Sequence, residues 1–161
     1  MTSYETLYQA FFNRIEEDKK FFRYNNVNPP EALDLAKQRA KNYLVESISK
    51  LKLKCTLDID IQLDDTLQQV KVDLTQTEID LISSLMYEVY LSRDVSTLKA
   101  MVNALTSTDL KMLHSPANER KTFMDMYKSV QYDNEVLMDN YNSKDRITGK
   151  NKLINYNNYE I

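Results

Sequence analysis

The sequence predicts a mainly α protein: a helical bundle of four to five helices with a small β-hairpin insertion and an extended C-terminal tail. Three observations predict it. Leu, Lys, Glu, Gln and Met are frequent while glycine occurs once in 161 residues, at Gly149, which suits helices and argues against an all-β fold rich in tight turns. Apolar residues recur at intervals of three and four over most of the chain. Capping side chains and prolines stand where these periodic runs begin. At this length one core is feasible and two domains would each be marginal, so one helical domain is expected over 1–141, with its hairpin at about 55–74 and an arm over 142–161.

The first helix is read from Tyr4, Leu7, Tyr8, Phe11, Phe12 and Ile15, with Glu5, Asn13, Arg14 and Glu16 between them. Its aromatic stripe is assigned to the protein's own core, with docking on a partner as the alternative. Asn28-Pro29-Pro30-Glu31 joins a capping side chain, prolines tolerated in a first turn and an acid at the positive end of the helix dipole, so a second helix starts there. Leu33, Ala36, Ala40, Tyr43, Leu44, Ile48 and Leu51 continue one face for about five turns, with Lys37, Arg39, Lys41 and Glu46 toward solvent.

Between Cys55 and Leu74 the period changes to two. Leu57, Ile59, Ile61 and Leu63 alternate with polar residues, Asp64-Asp65-Thr66 interrupts, and Val70, Val72 and Leu74 resume, which reads as a hairpin. A lone hairpin needs a partner, and another copy of the chain is expected to supply it. Leu74-Thr75-Gln76-Thr77-Glu78-Ile79 is a capping box with its hydrophobic staple. It opens a helix with Ile79, Ile82, Leu85, Met86, Val89 and Tyr90 on one face, widened by Leu81 and Leu91. This is the expected core helix, stopping near Ser92-Arg93-Asp94.

Leu98, Met101, Val102 and Leu105, then Thr106-Ser107-Thr108-Asp109 ahead of Leu110, Met112 and Leu113, suggest one or two short helices. Ser115-Pro116 opens a long helix whose Phe123, Tyr127, Val130, Leu137 and Tyr141 keep a three-four spacing over about seven turns, with Asn134 the polar interruption. Packing on the preceding helices is favoured over a coiled coil. Asn142 to Ile161 differs in kind, being rich in Asn and carrying the glycine. Its four basic residues against two acidic ones give +2, leaving −5 of the total −3 for the preceding residues. Its Leu153, Ile154, Tyr156, Tyr159 and Ile161 are the expected partner-binding residues, with a frayed terminus as the alternative.

Several chemistries have no place in this sequence. Cys55 is the single cysteine, so there is no internal disulfide and no paired-Cys zinc pattern. One glycine cannot build a P-loop, a dinucleotide fingerprint or a nucleophile elbow. Asp58, Asp60, Asp64 and Asp65 lack the glycine and terminal Glu of a calcium loop, and are expected on solvated faces. His114 is the only histidine, and no orienting group can be nominated for a Cys55–His114 pair. Met86, Met101, Met112, Met124, Met126 and Met138 read as core filler. No enzyme, metal or cofactor is expected. The net charge of −3 offers no footprint for a nucleic-acid reader. No run reaches the roughly 18 apolar residues of a membrane span and Met1 to Glu5 lacks a signal peptide's basic start, so a soluble protein made in the cytosol is expected.

One resemblance is specific. Val72-Asp73-Leu74-Thr75, Glu78-Ile79, Leu85-Met86 and Tyr90-Leu91, then Ser107, Asp109-Leu110-Lys111, Ser115 and Ala117-Asn118, with Tyr4-Glu5-Thr6-Leu7-Tyr8 and Phe11-Phe12 at the start, resemble the head-tail connector (neck adaptor) proteins of tailed bacteriophages of Gram-positive hosts. The motifs cover about two thirds of the chain. Tyr90 stands where a Trp would be expected, and the segment after Tyr141 follows no pattern of the family. The resemblance implies a structural virion protein, located in the neck and made in the host bacterial cytoplasm. Its subunits would form a ring, expected to be a dodecamer, between the portal and the tail. DNA would pass through the channel without specific binding. The implied partners are other copies, the portal protein and the next neck or tail-completion protein. The alternative is a helical interaction or assembly-adaptor protein outside the virion, and a DNA-associated protein using the basic tail ranks third.

Overall fold

The computed structural model describes residues 1–15, 21, 22, 24, 26–104 and 116–152, with 94–104 and 116–120 as backbone only. The order is β1 (Thr2–Ser3), α1 (Tyr4–Arg14), α2 (Pro29–Lys54), β2 (Leu63–Asp64), β3 (Gln69–Val70), α3 (Gln76–Ala104) and α4 (Pro116–Ser143). The protein is mainly α, with four helices and one small antiparallel sheet among the described residues.

Ser3 caps α1 by accepting the Thr6 N–H at 3.2 Å. The aromatic stripe turns into the protein's own core: Tyr4, Leu7, Tyr8, Phe11 and Ile15 are buried. Phe11 meets Phe21, Tyr43 and Tyr90 edge-on, with ring centroids 5.6, 5.8 and 6.4 Å apart, the arrangement that the aromatic quadrupole favours. α2 begins at Pro29, where Asn28 Oδ1 accepts the Glu31 N–H at 3.0 Å. It runs 26 residues, longer than the five turns expected, and buries Ala36, Ala40, Tyr43, Leu44, Ile48 and Leu51. Two of its residues depart from expectation. Leu33 lies near the open start of the helix and is 44% exposed. Arg39 turns inward, donating to Phe21 O, Tyr24 Oη and Tyr43 Oη at 3.3–3.4 Å while its guanidinium lies 4.5 Å from the Phe21 ring.

The hairpin forms, with much shorter strands than the alternation suggested. Leu63 pairs with Val70 and Asp64 with Gln69, and Asp64 Oδ1 closes the turn by accepting the Thr66 and Leu67 N–H groups. The partner strand is the chain's own N-terminus, not another copy. β1 pairs with β3 at Thr2↔Val70 and Ser3↔Gln69, giving the order β1-β3-β2. Thr2 Oγ1 also accepts the Leu74 N–H at 2.8 Å. Upstream, the expected in-out alternation appears as burial without a ladder: Ile61 is buried and Leu57 and Ile59 half-buried, while Asp58, Asp60 and Gln62 are exposed. This stretch folds back along α2, held by Lys52–Asp60 at 3.2 Å and Lys41–Asp65 at 3.0 Å.

The capping box of α3 is reciprocal, as the sequence predicts. The Thr75 N–H donates to Glu78 Oε2 at 2.7 Å and the Glu78 N–H to Thr75 Oγ1 at 3.3 Å. The expected stop near Ser92-Arg93-Asp94 does not occur. α3 is one helix of 29 residues through Ala104, absorbing Leu98 and Met101, because neither Gly nor Pro interrupts it. Every residue from Leu81 to Met86 is buried, as are Glu88 to Leu91, since α1, α2 and α4 all pack on this helix. The other short-helix expectation, Thr106 to Leu113, lies outside the described residues.

α4 starts at Pro116 and packs on α3. Its seam runs through half-buried Phe123, Tyr127, Val130 and Tyr141 and through fully buried Asn134 and Met138. Leu137, expected in that seam, is 44% exposed because Met138 takes the inward position. After Ser143 the chain turns back, with an isolated Lys144↔Asn151 bridge and Asp145 accepting the Ile147 and Thr148 N–H groups. Gly149 takes a φ of 65° in this turn, a backbone conformation that suits glycine.

Candidate functional site

Three places join residues distant in sequence. The first is a polar layer between α2, α3 and α4. Asn134, 0% exposed, donates to Glu88 Oε2 at 2.8 Å and to Ser84 O at 3.3 Å, and accepts from Ser84 Oγ at 2.6 Å. The other Glu88 oxygen receives the Lys50 ammonium. An amine, a carboxylate, an amide and a hydroxyl are reminiscent of a catalytic cluster. Ser84, Glu88 and Asn134 are nevertheless sealed in the core, with every hydrogen bond spent inside the bundle, so the layer fixes how α4 seats on α3.

The second is centred on Glu78, 1% exposed, which the sequence marks only as a capping residue. Its Oε1 accepts from Tyr141 Oη at 2.7 Å and Arg146 Nε at 2.6 Å, and its Oε2 from the Thr75 N–H and from Arg146 Nη2 at 3.1 Å. Arg146 also donates to Asp73 O. Burial alone would raise the Glu78 pKa, but the bonds from Arg146, Tyr141 and Thr75 outweigh it and hold the carboxyl below its ordinary value. Burial, followed by the bond to this same carboxylate, pushes the Tyr141 phenol well above the ordinary range. Glu78 thus fastens the start of α3, the end of α4 and the turn after it to one another. No local signal links Glu78 to Arg146, which lie 68 positions apart.

The third is an open recess of about 440 Å³ lined by Lys52, Cys55, Leu57, Asp58, Ile59 and Asp60. Lys152 reaches its rim, with its ammonium 3.0 Å from Asp58. Residues 142–152 therefore lie against the body, and Asn142 completes the attachment by accepting the Thr56 N–H and donating to Lys54 O. Cys55 is buried, its thiol 3.9 Å from Met138 O, and burial raises its pKa, so it is the opposite of an activated nucleophile.

The acidic residues of the insertion do not converge. Asp64 caps the hairpin turn, Asp65 bonds Tyr4 and Lys41, Asp60 pairs with Lys52 and Asp58 with Lys152. Among the described residues no three His, Cys, Asp or Glu side chains group as metal ligands, and no helix is long and apolar enough to cross a membrane. His114 and the expected partner-binding residues Leu153, Ile154, Tyr156, Tyr159 and Ile161 lie outside the described residues.

Several large apolar side chains among the described residues remain exposed. Leu53 (87%), Ile147 (75%) and Met1 (69%) sit around the end of α4: Lys54 beside Leu53 bonds Asn142, and Met1 pairs with Asp73, whose carbonyl holds Arg146 next to Ile147. On the outer side of α4, Tyr132 and Val136 are exposed, with Asp133, Glu135 and Asp139 exposed among them, and Leu137 is exposed on the flank. Such residues can contact protein, and they define no reaction. Comparison with protein-family models, curated proteins and solved structures found no match for this chain.

Proposed function

We propose that this chain is a structural virion subunit of the head-tail connector type, assembling as a ring between portal and tail and extending the DNA channel. The observation that carries the reading is the pair of exposed apolar surfaces on a body without a reactive site among its described residues. A ring subunit needs two kinds of contact. The outer face of α4 with Tyr132 and Val136 serves a neighbouring copy, because a heterologous side-to-side contact closes into a ring. The surface around Leu53, Ile147 and Met1 serves the portal, with Leu153, Ile154, Tyr156, Tyr159 and Ile161 as the expected docking residues. The net charge of −5 before residue 142 suits a conduit through which DNA slides, since it avoids the counterion-release attraction of a basic wall. The hairpin, folded back on α2, leaves Leu67 exposed at its tip for the next neck component.

The test is native mass by size exclusion with light scattering, for the chain alone and mixed with a portal from the same genome. A defined ring, or a monomer that assembles on the portal, is the expected result. A monomer or dimer indifferent to the portal overturns the connector reading in favour of a non-virion adaptor.

A further inference from the structure

We infer that the end surface around Leu53 and Ile147 takes an acidic segment carrying apolar side chains, and that the portal supplies it. This rests on the reading of that surface as the portal contact. Leu53 and Ile147 are the most exposed large apolar side chains among the described residues, at 87% and 75%. Lysines accompany them. Lys54, Lys144 and Lys150 are exposed, and among the described residues none of the three pairs with a carboxylate. Lys52 and Lys152 differ, being held by Asp60 and Asp58. The nearby acids without a lysine or arginine partner are Asp139 and Asp145, and Asp145 spends its carboxylate on the Ile147 and Thr148 N–H groups, so the exposed surface stays basic.

The backbone gathers these residues from two parts of the chain. Asn142 accepts the Thr56 N–H at 3.0 Å and donates to Lys54 O at 3.3 Å, which sets the end of α2 beside the start of the C-terminal turn. From there the Asp145 N–H donates to Lys150 O and the Lys152 N–H to Ser143 O, both at 2.8 Å, so Lys144 and Lys150 stand on paired arms with Ile147 in the turn between them. Arg146 is pinned on Glu78 and Lys152 on Asp58, so the surface is set before a partner arrives and little ordering remains to oppose binding. Apolar side chains among unpaired ammonium groups complement a segment with apolar side chains among carboxylates. DNA fits less well, because its phosphates would meet the lysines and leave Leu53 and Ile147 in water. The outer face of α4, Tyr132 and Val136 among Asp133 and Glu135, has the matching composition. In the proposed ring that face is taken by the neighbouring copy, which leaves the end surface to the portal.

The experiment titrates the full chain onto a portal from the same genome at about 50 and about 200 mM salt, with light scattering on the chain alone and a labelled DNA duplex as a second probe. The wild-type chain should bind about tenfold more weakly at the higher salt. Lys54→Glu, Lys144→Glu and Lys150→Glu together should cost about tenfold or more at low salt and remove most of the salt dependence. Leu53→Ser with Ile147→Ser should weaken binding and keep the salt dependence, while Lys71→Glu, at an exposed lysine beside β3, should leave binding unchanged. All these side chains are exposed, so the variants should keep the wild-type thermal midpoint. Portal binding left unchanged by salt and the three lysine substitutions, or by the Leu53 and Ile147 substitutions, overturns the inference and leaves the connector reading standing. A wild-type chain that ignores the portal overturns both. Self-association of the chain alone that the lysine substitutions abolish, with portal binding intact, overturns the inference in favour of a second copy's acidic α4 face. DNA binding that they abolish, with portal binding intact, overturns it in favour of phosphates.

Discussion

Replacing Arg146 by Ala should destabilise the protein by about 3 kcal/mol, far more than an ion pair at the surface. The magnitude follows from burial: the Glu78 side chain is 1% exposed and that of Arg146 14%, and two guanidinium nitrogens bond the carboxylate. Breaking such a pair from one side leaves a buried charge under-compensated, which costs about 3–5 kcal/mol. The lower end applies because Tyr141 and the Thr75 N–H still bond Glu78 in the variant. In urea, with a slope of about 2 kcal/mol/M, the midpoint should fall by about 1.5 M. Adding Glu78→Gln should recover part of the loss, since an amide tolerates that site without a counter-charge.

The pH dependence has a definite sign. Glu78 titrates below its ordinary 4.5 in the folded protein, so its contribution is present above about pH 4.5 and is lost as pH falls through the lowered value. Without Arg146 the burial of Glu78 persists while its main counter-charge is gone, so its folded-state value rises, its protonation no longer costs stability, and the gap between variant and wild type should narrow as pH falls below about 4.5. A midpoint shift below about 0.3 M, with an unchanged acid limb, would refute the reasoning by showing that Glu78 finds equivalent solvation elsewhere.

Asn134→Ala should cost about 2–4 kcal/mol by urea denaturation, because it leaves Glu88 and Ser84 short of partners inside the core; a loss below about 1 kcal/mol would mean that water replaces the amide. Phe11→Ala should cost about 3–5 kcal/mol, the usual range for a fully buried aromatic, and should shift the thermal midpoint accordingly. Asn28→Ala removes the α2 cap and should cost about 1 kcal/mol, with Asn28→Ser nearly neutral. Burial, together with the Asp65 and Glu5 charges, pushes the Tyr8 phenol up to about 12, and Tyr4 and Tyr141 stand higher still. Ultraviolet titration should therefore count fewer than the 11 tyrosines at pH 11, and stability should decline as pH rises through these folded-state values.

Local rules carried the reading of the elements. The starts of α2 and α4, the reciprocal Thr75–Glu78 cap and the aromatic face of α1 were legible because each depends on residues within a few positions of one another. Leu137 and Leu33 were misplaced for a related reason: periodicity names a face, and a neighbouring helix decides how much of it is covered. The candidate site was less legible. Asn134 was visible as a polar interruption, but its link to Ser84 and Glu88 spans about 50 positions, and the Glu78–Arg146 clamp spans 68.

The amino-acid sequence by itself determined that this is a mainly α protein, where most of its helices begin, and which aromatic stripe seeks the core, because propensity, capping and amphipathic period act over one or two turns. Only the tertiary structure decided that Thr2 and Ser3 supply the third strand, that α3 continues through Ala104, and that residues 142–152 fasten to the body through Arg146 and Lys152. Strand pairing and buried ion pairs are contacts between groups far apart in the chain. Their free energy depends on which surfaces the packed helices bring together and remove from water, and no local pattern encodes that.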